Sequence, residues 1–286
     1  MEGAAIPPDM ASRIEESASR LDLRRHDGWW GDRAEVVRAL GEQGWPLRDA
    51  WIEAEVLAGG YGHPRLGVFG LLASIRYLMG AAPWERDDLL SYGPRPHPQR
   101  SGEVLLPLYF LNAPWLWIDE RGEVFYGLHD RAEEVIAPAF DDVARYWEAL
   151  GLLDGRIAGS TYLPPPRRPR LEVEGHAGKS LAAALGFDAY PAASGAQVEA
   201  YAGPEGACVV FSIAGVKTTT DLVTDTDEGV VLALQAALEA HDDARILTPS
   251  PLEAELLAAL PSHHHEVRSP LEHEYLWGRR RALEEA

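Results

Sequence analysis

GEVLLPLYFLNAPWLWIDERGEVFYGLHDRAEEVIAPAFDDVARYWEAL, residues 102–150, carries two hydrophobic periods in one stretch. Val104 to Phe110 and Trp115 to Asp119 are short, apolar, aromatic-rich runs, which suit strands better than helices. Asp119-Glu120-Arg121-Gly122 reads as a turn, because Gly122 accepts positive φ at no steric cost. Glu123 to Leu128 resumes the strand pattern, so Trp115 to Leu128 is expected to be a β-hairpin. From Val135 to Leu150 the apolar residues Phe140, Val143, Ala144, Trp147 and Leu150 fall at helical spacing, and a helix is expected there. The acidic pair Asp119-Glu120 is expected to be solvated at the hairpin tip. Antiparallel strands followed by a helix place this half in the α+β class.

Towards the N-terminus the pattern is helical. Asp9 to Leu21 reads as a helix, and so does Asp32 to Gln43, with Asp32 as N-cap and Gly44 as its stop. Pro46 is expected to open a third helix that runs to Ala58 and ends at Gly59-Gly60. Val68 to Met79 fits either a short helix or a strand followed by a helix. Trp45, Trp51, Trp115, Trp117 and Trp147 are assigned to the core.

Towards the C-terminus, Tyr162 to Arg170 (YLPPPRRPR) is a proline-rich, charged run that reads as a semi-rigid linker. The expected division is a first domain over 1–160, a linker over 161–170 and a second domain over 171–286. In the second, Gly178 to Leu185 reads as helix. Gln197 to Ala202, Ala207 to Ile213 and Val216 to Thr224 read as strands, and Gly229 to Ala240, Leu252 to Leu260 and Leu271 to Leu283 as helices. The predicted fold class is α+β: an antiparallel sheet flanked by helices in the first half, then a second, smaller α+β domain after the Pro-rich linker.

Composition narrows the function. There are 45 acidic against 26 basic residues, a formal net charge of −19. Such a field repels nucleic acid, and the short basic runs Arg167-Arg168-Pro169-Arg170 and Arg279-Arg280-Arg281 lack interleaved aromatics. No direct nucleic-acid partner is expected, and a basic protein is favoured instead. No uninterrupted apolar run is long enough to span a bilayer, and the N-terminus does not read as a signal peptide. With a single cysteine, Cys208, no internal disulfide forms. A cytoplasmic protein with no membrane partner is the expectation.

Several motifs approach known chemistry and stop short. GHAGKS (Gly175 to Ser180) resembles a phosphate-binding loop, but Val173 stands where its first glycine belongs, and the segment before it does not read as a buried strand. HHHEVRSPLEHE (His263 to Glu274) groups imidazoles with carboxylates, the donor set of zinc, yet Pro270 interrupts the helical pairing. His176 and His241 are isolated. DTDEG (Asp225 to Gly229) lacks the glutamate that closes a calcium loop, since Gln235 stands there, and reads as a helix cap. Cys208, within the apolar run ACVVFSI, reads as a buried, inert thiol. No catalytic residue, cofactor or metal is therefore assigned.

Three features in order resemble the SUKH superfamily, which includes a yeast cell-wall synthesis regulator and many bacterial immunity proteins. The first is the helix leading into the Gly-Gly-Tyr-Gly turn, within VVRALGEQGWPLRDAWIEAEVLAGGYG (Val36 to Gly62). The second is the hairpin IDERGEVFY (Ile118 to Tyr126). The third is the Ile136 to Phe140 lead-in to a closing helix, in a stretch that the resemblance follows as far as Trp147. The resemblance covers less than half of the chain. It implies a small α+β domain that binds a protein, which for an immunity protein is a cognate toxin, often a nuclease with a basic surface. The aromatic and acidic residues Trp29, Trp30, Tyr61, Trp84, Glu85, Asp87 and Asp88 are the expected partner contacts, as exposed anchors ringed by acid. The rival readings are a metal-dependent enzyme built on the C-terminal His cluster and a regulatory scaffold.

Overall fold

The computed structural model describes residues 8–26, 31–63, 67–73, 75, 94–108, 116–130, 133–153, 170–174, 178–212, 218–226, 229, 232–233, 236 and 245–247. Among the expected contacts, Trp29, Trp30, Trp84, Glu85, Asp87 and Asp88 lie outside these residues. So do Trp115, most of the Pro-rich run, the His263–Glu274 cluster, and the expected helices 252–260 and 271–283. The chain divides into two compact units: Met1–Pro165 with Pro191–Val198, and Pro166–Tyr190 with Glu199–Ala286. The fold is α+β. Among the described residues no helix is long and apolar enough to cross a membrane.

The first unit opens with α1 (Pro8–Arg20), β1 (Arg24–Arg25), α2 (Arg33–Glu42) and α3 (Asp49–Ala58). Asp32 caps α2 as its sequence position predicts, its side chain accepting the Glu35 N–H at 2.9 Å. Gly44 (φ +68°) and Gly122 (φ +91°) take the left-handed backbone that the two turns need. α3 begins at Asp49 rather than at Pro46, with Arg48 at its N-cap and no side-chain cap bond. It ends at Gly59, where the buried Glu55 carboxylate accepts the Leu71 N–H at 2.5 Å and ties the helix end to the following chain. Arg25 donates to the Val56 and Leu57 carbonyls at that same end, complementing its negative pole. β1 pairs antiparallel with β2 (Tyr61–His63), and β2 with β3 (Gly67–Val68); residues 71–73 and 75 are then helical. Of the two readings of Val68 to Met79, the strand followed by helix is the one that fits these residues.

Five antiparallel strands follow in sheet order: β4 (Arg95–Pro96), β5 (Val104–Pro107), β6 (Leu116–Ile118), β7 (Val124–Asp130) and β8 (Glu133–Phe140). β6 and β7 form the expected hairpin, with Trp117 opposite Phe125. The expected helix from Val135 is wrong over its first third. Val135 to Phe140 belongs to β8, which pairs with β7 through Asp130↔Glu133 up to Val124↔Phe140, and α4 (Val143–Leu152) starts only afterwards. Pro138 explains it: proline ruptures a helix interior but fits an outer strand such as β8, where the missing N–H need not bond. Asp142 then caps α4 by accepting the Arg145 N–H at 2.9 Å.

Packing follows from the alternation of these strands. Leu105, Trp117 and Phe125 are fully buried on one face, with Ile136 against them. Leu106, Leu116, Ile118, Val124 and Tyr126 are buried on the other. The helical layer closes around Trp147 of α4, whose ring meets Tyr61 and Phe69 edge-on, each at 5.4 Å between centroids. α1 crosses α4 with the Arg13–Glu148 ion pair at 2.9 Å. Trp51, Trp117 and Trp147 are core as expected; Trp45 is only half-buried. The strap Pro191–Val198 belongs to this unit although it lies in the second half of the sequence. Arg13 donates to the Ala192 carbonyl at 2.8 Å, and Arg145 to those of Pro191 and Ser194 at 2.8 and 2.7 Å.

The second unit holds a six-stranded sheet in the order β10 (Asp188–Ala189), β11 (Val198–Gly203), β12 (Gly206–Ser212), β13 (Thr218–Thr224), β9 (Arg170–Glu174), β14 (Arg245–Leu247). α5 (Gly178–Ala184) packs on β12. β9 begins at Arg170, the last residue of the expected linker, and is a strand that the sequence reading did not include. Arg-Leu-Glu-Val-Glu is too short and too charged to announce itself, but it lies between β13 and β14 and pairs with both. Residues 229, 232, 233 and 236 are helical, in line with the expected Gly229 helix.

Candidate functional site

The densest polar arrangement among the described residues is built on the β6–β7 turn. Asp119 was expected to be solvated; instead it is 0% exposed. Its Oδ1 accepts the N–H groups of Arg121 (2.9 Å) and Glu123 (2.8 Å), which fixes the turn. Its main-chain carbonyl accepts the Trp51 indole N–H at 2.6 Å, which ties the turn to α3. Its Oδ2 faces Arg100, which also donates to Glu123 at 2.5 Å and lies 3.4 Å from Glu103. Arg121 reaches Glu103 at 3.2 Å, and Arg48, the N-cap of α3, pairs with Glu120.

Electrostatics follow this layout. Arg100 is held more firmly protonated by Glu123, against the pull of burial and with help from Asp119. Burial pushes the Glu103 carboxyl up, but Arg121 and Arg100 outweigh it and hold it below the usual carboxylate range. Four carboxylates and three guanidiniums thus largely neutralise one another. The acid of this turn is consumed internally and is not what makes the chain anionic.

His97, Glu103 and Asp119 bring donor atoms within 4.8 Å of one another, a grouping that resembles a metal site. The ring chemistry argues against it. The Gln99 N–H donates to His97 Nδ1 at 3.0 Å, so in the neutral ring the proton sits on Nε2. That is the nitrogen facing Asp119 Oδ2, 3.7 Å away, and a protonated nitrogen has no lone pair for a metal. A metal-bound imidazole needs an acceptor behind its other nitrogen, whereas here a donor stands there. Arg100 moreover already supplies positive charge to the carboxylates. We read the cluster as an ion-paired turn, with the His97 ring packed edge-on to Phe125 at 5.0 Å.

Of the expected partner contacts, Tyr61 is the one within the described residues, and it is not on the surface. It is 7% exposed, with its ring against Trp147 and the Arg25 guanidinium 4.7 Å above it. Glycines on either side suggested an exposed turn; strand pairing of β2 between β1 and β3 turns the ring inward instead.

The near-motifs resolve into packing and caps. β9 does stand before GHAGKS, but Gly178 is required because a Cβ there would lie 2.1 Å from the Val210 side chain. Lys179, the residue that would hold a phosphate, is paired with Glu199 at 3.1 Å. In DTDEG, Thr226 accepts the Gly229 N–H at 3.1 Å, which is capping geometry. Burial pushes the Cys208 thiol up to about 12. A thiol reagent at pH 8 is expected to modify Cys208 no faster than the second unit unfolds; rapid labelling of the folded chain would show an accessible thiolate. The same shift has a sign. The neutral thiol favours the folded state below its ordinary value of 9.0, and this advantage is lost as pH rises from there towards about 12.

No protein-family model, no curated protein and no solved structure matches this chain.

Proposed function

We propose that the chain is a non-catalytic, protein-binding protein, an immunity protein of the SUKH type that neutralises a cationic cognate toxin such as a nuclease. The observation that carries this reading is that the two stretches resembling that superfamily build one unit. Trp51 of the first stretch bonds the Asp119 carbonyl of the second at 2.6 Å, and Tyr61 packs on Trp147 at 5.4 Å. The net charge of −19 supports a cationic partner, because opposite fields accelerate encounter and penalise wrong partners. For a nuclease partner, the acidic surface would compete with phosphate for the same basic cleft.

The test is calorimetric titration of the full chain with the product of the neighbouring gene. Stoichiometric binding with a Kd of nanomolar order at low salt, weakening as salt rises, is expected. No binding tighter than about micromolar at low salt would reject the reading.

A further inference from the structure

Trp45, Pro46 and Leu47 connect α2 to α3. Because α3 starts at Asp49, three consecutive apolar residues lie outside any helix. Pro46 is exposed, while Trp45 is half-buried and shows only part of its ring. Leu47 is 49% exposed, and among the described residues it is the one large apolar side chain of the first unit that is exposed; Leu232 (57%) is its counterpart in the second. An isolated exposed leucine is ordinary. Three apolar residues together on a fixed loop are less so.

The loop is fixed at both ends. The Gly44 N–H bonds the Gly41 carbonyl and the Trp45 N–H the Leu40 carbonyl, both at 3.0 Å. Arg48 donates to the Leu47 carbonyl at 3.3 Å and pairs with Glu120 of the β6–β7 turn. A loop held in this way loses little conformational entropy on binding. The charges around it are paired as well: Arg33 with Asp49, Arg38 with Glu42, Arg48 with Glu120. The tip is therefore a locally neutral, apolar island on a chain of net charge −19. That is the layout of a binding surface with an apolar, charge-poor centre and a polar rim, and tryptophan is the residue type most enriched at binding hot spots.

We propose that Trp45–Leu47 is the apolar anchor that seats in an apolar pocket of a cationic protein. The anionic remainder of the chain steers that protein in, and the neutral tip is where water can be expelled without stranding a charge. This rests on the protein-binding reading above and adds the place of contact.

The experiment titrates the product of the neighbouring gene with the full chain and with Leu47→Ser, Trp45→Ala/Leu47→Ser and Leu232→Ser. Leu47→Ser is expected to weaken binding about tenfold and the double variant about a hundredfold, mainly through faster dissociation, while Leu232→Ser stays within about twofold. The salt dependence should not change, because no charge is altered. If the parent chain binds but both tip variants stay within about threefold of it, the anchor lies elsewhere and this inference alone falls. If the parent chain does not bind, the protein-binding reading falls and the inference with it. Should the double variant lose its near-UV circular dichroism, Leu47→Ser alone decides.

Discussion

Trp147→Ala is expected to destabilise the first unit by about 3–5 kcal/mol, enough to leave it largely unfolded at 37 °C if its stability is of ordinary size. Trp147 is fully buried on α4 and fills the space between the helical layer and the β1–β2–β3 sheet. Its removal strips two edge-on contacts, to Tyr61 and Phe69, each at 5.4 Å. It also leaves a void that the surrounding strands cannot collapse to fill, since they are pinned by their own ladders. Urea unfolding followed by near-UV circular dichroism measures the loss. Trp147→Phe keeps an aromatic edge and should recover part of it. A change below about 1 kcal/mol for the alanine variant would mean that the ring is not core.

Asp119→Ala should cost a similar amount, about 3–5 kcal/mol, for a different reason. Two turn N–H groups lose their acceptor, at 2.9 and 2.8 Å in the intact turn, and Arg100 is left without its buried partner. Asp119→Asn keeps an oxygen for the turn but turns an amide donor towards Arg100, so an intermediate loss is expected. A double-mutant cycle with Arg100→Met separates the two contributions. Arg100→Met should cost less in the Asp119→Ala background than in the intact chain, by about 1 kcal/mol or more, because one of its three carboxylate partners is already gone. Strict additivity of the two substitutions would show that the ion pair does not stabilise the turn.

The pattern of right and wrong readings has a physical cause. Asp32 as N-cap, Gly44 and Gly122 as turn residues, and the β6–β7 hairpin were legible because each depends on a few neighbouring residues whose backbone preferences act locally. The stretch Val135 to Phe140 misled because Phe140, Val143 and Trp147 continue a helical spacing backwards across a strand. Pro138 was the signal against a helix there, and it was available in the sequence. β9 was hidden by its charged alternation beside a proline run, and nothing local marks it as an inner strand. The strap Pro191–Val198 had no sequence signal either. Its small residues contribute little burial, and it is held by arginines from α1 and α4, far away in the chain.

Sequence by itself determined the α+β class, the hairpin around Gly122, most helix boundaries among the described residues and the anionic character, because these follow from short-range periodicity and from counting charges. Tertiary structure alone decided which polar groups are buried. Asp119 looks like any turn aspartate until Trp51 of α3 and Arg100 and His97 of the β4–β5 connection meet it, and Tyr61 looks like a turn tyrosine until two flanking strands rotate it onto Trp147. Trp45 was likewise expected in the core, and the tertiary structure leaves it only half-buried beside the exposed Leu47. Burial is a property of what else arrives at a site, and no local pattern encodes it.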